Sequence, residues 1–276
     1  MQSEINMELR FVIALYSEAL SIIEYYNLKL VDYSMYNNKI YKNEKNTIWL
    51  IQSGIGNKKA ENAVNFLHKI SNPTYNSLWV NIGIAGHKIF NLGRLYEIKK
   101  VTYINDNKNS YYSNSLINCF EMHEVCSVDI PQTVFKDNYI YDMESYGFIQ
   151  SVEKFCLREN ICILKIISDN SNEKPNNYKE FAYKNIKKNM EAINSGLMHY
   201  LEEIKKNYID FSSYMKLLNR KYHITFYNEK KIQNLMPKLI TIMENDLIKK
   251  EIECSKSLTG LINFFEEKLK NYVLKI

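Results

Sequence analysis

No stretch of this 276-residue chain reaches the roughly 20 consecutive apolar residues that a membrane-spanning helix needs, so no span across a bilayer is expected. The opening MQSEINMELR lacks both the basic start and the apolar core of a secretory leader. The five cysteines (Cys119, Cys126, Cys156, Cys162 and Cys254) form no CxxC pair and no Cys/His spacing of a metal site. Most of them fall inside predicted strands or helices, which points to reduced core thiols and a cytoplasmic setting. Internal repeats and low-complexity tracts are also missing. What remains, 46% hydrophobic and 24% charged residues, is the composition of an ordinary globular protein. The length suits one large domain, or a domain with an appendage.

The excess of positive charge lies entirely in the last quarter of the chain. From Lys205 onward there are 14 Lys/Arg against 8 Asp/Glu, which leaves 22 against 23 before it. A basic tail of this kind can meet nucleic acid or an acidic partner protein. The solvated face of helices is the commoner meaning and the one favoured here.

Residues 1–204 alternate between buried-strand and helix patterns. Arg10–Leu15 reads as a strand and Ala19 onward as a helix, with Glu18 at the junction. Met35–Lys42 and Thr47–Gln52 read as strands around an Asn43–Asn46 hairpin turn. Ser53-Gly54-Ile55-Gly56 then leads into an amphipathic helix through Ile70. Leu78–Ile82 is a strand, with Gly83-Ile84-Ala85-Gly86 as a second glycine turn at its end. A long strand is expected from Gly93 to Ile104, a polar loop from Asn105 to Ser115, and a strand from Cys119 to Val128.

Asp142 and Glu144 open a helix carrying Gly147, Phe148, Val152, Phe155, Cys156 and Leu157. The β-branched run Ile161–Ile167 stops abruptly at Ser168-Asp169-Asn170. Ligands of open α/β sheets bind beyond the carboxyl ends of strands, which places Asp169 at a chemical position. As a lone residue it serves equally as a turn cap. A helix is expected over Glu180–Ile204. Residues 205–276 read as an accessory helical extension without a catalytic grouping, with Thr225 or Asn228 as a cap, an interruption at Pro237 and a last helix over Leu261–Leu274.

One sheet edge thus collects Glu18, the SGIG turn, the GIAG turn, Met143-Glu144 and Ser168-Asp169. In order and spacing these motifs resemble the nucleoside phosphorylase/nucleosidase superfamily, and within it the methylthioadenosine/S-adenosylhomocysteine nucleosidase branch. DME at 142–144 and ISD at 167–169 are the most specific parts of the likeness, which covers roughly residues 10–204. It implies an α/β fold, with a mixed central sheet flanked by helices, plus the C-terminal helical appendage.

The function it implies is hydrolysis of the N-glycosidic bond of a 5′-substituted, adenosine-like nucleoside. No cofactor or metal is implied, and a homodimer is. By resemblance Asp169 is the acid that protonates the purine at N7, and Glu18 orients the attacking water. Glu144 binds the ribose hydroxyls, Met143 packs under the ribose, and Ile55 lines the 5′ pocket. Ile84, Ala85, Gly86, Val128 and Ser168 complete the substrate contacts, Val128 on the base-edge strand. Phosphorylases of this superfamily gather arginines around phosphate, and no arginine stands near Gly54 or Gly83, which favours water over phosphate. The alternatives are a phosphate-dependent phosphorylase or a weakened nucleoside-binding protein that works with a partner.

Three positions depart from the likeness. Ile84 stands where a Ser or Thr is usual, the segment between Gly93 and Asp142 is short, and Lys165 replaces an arginine.

Overall fold

Near-continuous apolar runs bury both faces of a strand, successive residues entering opposite helical layers. In the computed structural model this holds for Leu9–Ile13 (β1), where Leu9, Phe11 and Ile13 enter one core and Val12 the other. The structure describes residues 8–31, 38–74, 76–112, 119–132, 134–135, 137–154, 156–206 and 211–273. Two compact units make up the chain, Met1–Lys206 and Asn207–Ile276.

In the first unit β1 is followed by α1 (Tyr16–Tyr25), β2 (Lys29–Val31), β3 (Ile40–Lys42), β4 (Ile48–Gln52) and α2 (Asn57–Ser71). β5 (Leu78–Gly86), β6 (Leu95–Tyr103), β7 (Asp106–Tyr112), β8 (Met122–Ser127) and β9 (Ile140–Asp142) come next. α3 (Ser145–Val152), β10 (Ile161–Asp169) and α4 (Tyr178–Lys206) complete it. The strands form one mixed sheet in the order β10-β6-β8-β9-β5-β1-β4-β3-β2, with β7 paired to β6. Because β10 also pairs with β5, the strands β5, β10, β6, β8 and β9 close into a ring. Helices α2 and α3 cover one core and α1 and α4 the other.

Several expectations are corrected. The Gly83–Gly86 segment is not a turn but the end of β5, held in extended register against Lys165–Asp169 of β10. The stretch expected as a polar loop after Asn105 contains β7, a strand made by pairing with β6 and not by apolar residues. Helix α3 stops at Val152, short of Leu157. The strand expected from Met35 begins at Ile40, its residues 35–37 lying outside the described residues, as does Phe155. β2, too short to leave a periodic signal, was not expected at all. Cys126, Cys156 and Cys162 are buried free thiols, and among the described residues no helix is long and apolar enough to cross a membrane.

The second unit is helical: α5 (Ser212–Lys221), α6 (Phe226–Ile242), α7 (Asn245–Cys254) and α8 (Leu258–Val273). The Thr225 hydroxyl caps α6 by accepting the Asn228 N–H. α6 continues past Pro237 to Ile242, and α8 begins at Leu258, ahead of Thr259-Gly260. Leu218, Ile232, Met236, Leu239, Ile248, Ile252 and Phe265 are buried in this unit.

One buried acid lies on the α4 side of the sheet. Glu97 of β6 is fully buried, accepts the Tyr200 hydroxyl at Oε1 and has no partner at Oε2 among the described residues. Burial pushes its carboxyl up to about 8. The native state therefore holds a proton that the unfolded chain releases near its ordinary value, so stability falls as pH rises between these two values and is flat above. Glu97→Gln, which mimics the neutral acid, is expected to flatten this fall. Melting temperatures from pH 5 to 9 test it: the variant must gain on the native chain as pH rises.

Candidate active site

A buried lysine organises the carboxyl end of the sheet. Lys165 sits on β10 between two layers of core and is 1% exposed, so its ammonium requires partners. It donates to Asn81 Oδ1 on β5 at 2.7 Å and pairs with Asp142 Oδ2 at the end of β9 at 2.8 Å. Asp142 Oδ2 also accepts the backbone N–H of Ser145 at 2.9 Å and its hydroxyl at 2.5 Å, which holds the first turn of α3. Burial works to raise this carboxyl, but the Lys165 charge and its hydrogen bonds outweigh that and hold it below the ordinary carboxylate range.

Two further carboxyls face this pair. Glu18 is buried on the first turn of α1, accepting the Leu15 N–H at Oε2 (2.9 Å) and the Ile84 N–H of β5 at Oε1 (3.0 Å). A Cβ on Gly83 would lie 3.0 Å from Glu18 Oε1, tighter than an ordinary contact, so the bare backbone there lets Glu18 come close against the strand beside Lys165. Glu144, at the N-terminus of α3, accepts the Gly56 N–H at Oε1 at 2.9 Å. Gly56 takes φ +113° and Gly54 φ +81°, backbone angles open to glycine, and these aim the N–H of the SGIG turn at the carboxylate. Burial raises both acids. Glu144, pushed further by Asp142 and Glu18 and partly relieved by Lys165, reaches about 7.

Asp169 stands apart from this group, at the end of β10 opposite Gly86 of β5. Gly83 and Gly86 are three residues apart on β5, roughly 10 Å along an extended strand. Asp169 is half-buried, and burial raises its carboxyl against the pull of Ser168 and Lys174. The Ser168 hydroxyl lies 2.6 Å from Asp169 Oδ1. This supplies, from the neighbouring residue, a hydroxyl of the kind that Ile84 lacks. The Phe135 ring rests on the bare backbone of Gly86, with Asp169 Oδ2 beside it.

The structure therefore brings Glu18, Ile84, Glu144, Asp142 and Lys165 together, with Ala85, Gly86, Ser168 and Asp169 further along the same strand pair. Met143 is half-buried between β9 and α3, and Ile55 is 46% exposed at the head of the SGIG turn. Val128 is buried just beyond β8, its N–H given to the Asp142 carbonyl at 2.7 Å. Sequence reasoning assigned no role to Lys165, to Asn81 or to Phe135. The DME motif pointed to Asp142 as an acid, but nothing local pointed to its partner on another strand.

Lys165→Met would leave Asp142 buried without a cation, which costs about 3–5 kcal/mol. Urea denaturation is expected to show this loss, and Lys165→Met combined with Asp142→Asn should recover a large part of it. A single variant as stable as the native chain would mean the pair is not buried as described.

No family model and no curated protein matches the chain. Solved structures do. A 5′-methylthioadenosine/S-adenosylhomocysteine nucleosidase from Helicobacter pylori is similar over 71% of this chain and 100% of its own, with TM-score 0.58 and 15% identity. The futalosine hydrolase of Helicobacter pylori strain 26695 matches over 71% of this chain and 100% of its own, with TM-score 0.57 and 14% identity. A 5′-methylthioadenosine nucleosidase of Arabidopsis thaliana gives 72% and 96%, with TM-score 0.55 and 15% identity. The mixed sheet and flanking helices of this chain are therefore the fold of these nucleosidases.

Proposed function

We propose that the chain is a purine nucleosidase, which hydrolyses the N-glycosidic bond of an adenosine-like nucleoside with a 5′ substituent. The observation that carries this reading is the division of labour among its acids. Glu18 and Glu144 lie beside a buried cation, while Asp169, also raised by burial, stands alone further along the same strands. Such an arrangement suits a reaction in which positive charge grows on a sugar and negative charge on a departing base.

In this mechanism Asp169 gives its proton to N7 of the purine as the C1′–N9 bond breaks and its electron pair passes to the base. Ser168 orients the Asp169 carboxyl. Glu144 accepts hydrogen bonds from the ribose 2′ and 3′ hydroxyls, and Met143 packs under the ring. A water attacks C1′ and yields its proton to Glu18, whose Oε1 is fixed by the Ile84 N–H. Lys165 offsets the negative charge of the neighbouring carboxylates. The products are the neutral free base and the free sugar with its 5′ group.

Ile55, exposed beside the glycine turn, suits an apolar 5′ group, and Val128 with Ala85 and Gly86 borders the base. The wider reading is a cytoplasmic homodimer engaged in purine salvage. Residues 1–204 carry the reaction and the basic helices after them are accessory. The similar structures, methylthioadenosine, S-adenosylhomocysteine and futalosine enzymes, support the nucleoside class without choosing among the substrates.

Free-base release from a panel of nucleosides, with and without phosphate, tests the reaction. Hydrolysis predicts release in phosphate-free buffer, a free sugar by mass spectrometry, and losses of orders of magnitude in Asp169→Asn and Glu18→Ala. A sugar 1-phosphate as the main product would make the chain a phosphorylase instead. The Glu144 value of about 7 adds a pH test. The ionised form is the better acceptor for a diol, so kcat/KM should rise with pH through about 7, and Glu144→Gln should shift this limb, leaving the rise that belongs to ionisation of Glu18.

A further inference from the structure

We propose that Asn57 is a positioning residue of this site, the joint that locks the glycine turn, the end of β8 and the first turn of α3 into one wall. The proposal rests on the nucleosidase reading for its ligand but on separate geometry for its mechanism. Asn57 is the first residue of α2, directly after Gly56. Its Oδ1 accepts the Ser127 hydroxyl at the end of β8 and the Gly147 N–H in α3, each at 3.0 Å. The Gly147 N–H can only donate, so the amide oxygen must face it. The Nδ2 has no partner among the described residues.

Backbone packing tightens the same joint. A Cβ on Gly147 would fall 1.9 Å from the Asn57 carbonyl oxygen, so α2 and α3 meet backbone to backbone, and only glycine permits the approach. One residue back, the Gly56 N–H holds Glu144 Oε1. Two bonds from consecutive residues of one turn therefore grip α3 at Glu144 and three residues further on. The three segments so joined carry Ile55, Val128 and Met143-Glu144, which in the reading above meet the 5′ group, the base edge and the ribose. Asn57 touches none of these ligand groups. It acts through the direction of the Glu144 carboxylate, and hence through recognition of the sugar diol.

Because only the oxygen of the amide is used, aspartate can replace it without losing either bond, whereas alanine loses both. The experiment uses the full chain with adenosine and 2′-deoxyadenosine, reading Kd by calorimetry alongside turnover. Asn57→Ala should weaken adenosine by about tenfold, the scale of one or two lost hydrogen bonds. It should leave 2′-deoxyadenosine within about threefold. The added carboxylate of Asn57→Asp should move the Glu144-dependent limb to higher pH, and above that limb the variant should restore adenosine binding.

Equal weakening of both nucleosides in Asn57→Ala would overturn the proposal. So would an Asn57→Asp variant that fails as Asn57→Ala does, or a native chain with no preference for ribose over deoxyribose. Failure of the nucleosidase reading shows differently, as binding that keeps this pattern with no release of base.

Discussion

A lysine ammonium cannot stay charged between two hydrophobic layers unless the fold delivers anions and acceptors to it, and Lys165 sets that condition for the whole first unit. Its partners come from β5 and β9, and both strands must be in register with β10 before the charge is satisfied. Closure of the sheet into a ring brings this about, since β9 and β10 lie on opposite sides of β5. The pair is poor as a source of stability, because two desolvated charges roughly repay their own cost. What it supplies is specificity of position. The start of α3, through Ser145, is tied to the same carboxylate.

The remaining acids take their properties from that centre. Asp142 is held ionised by the contact it makes, while Glu18 and Glu144, left with weaker compensation, are raised. Asp169 is raised by burial alone at a place the ammonium does not reach, with a serine hydroxyl as its near neighbour. One fold thus places carboxyls of different character along two adjacent strands, which is how a single site keeps an acid and a base ready at the same pH.

The sequence by itself determined the alternation of strands and helices over residues 10–204, because buried strands and amphipathic helices impose periods of two and 3.6 on apolar residues. It also placed Asp169 at a strand end, where the run Ile161–Ile167 stops, and Glu18 at a strand-to-helix junction, and it marked the SGIG turn by its glycines. What it could not carry was pairing. The polar stretch DNKNSYY is a strand only because β6 offers it hydrogen bonds, and GIAG is extended only because β10 runs alongside. The Asn81 partner of Lys165 and the two partners of Asn57 lie 84, 70 and 90 residues away, so no local pattern encodes them. The raised and lowered acids were decided there as well, because a pKa records the distance to other charges and the depth of burial, and both exist only once the ring of strands has closed.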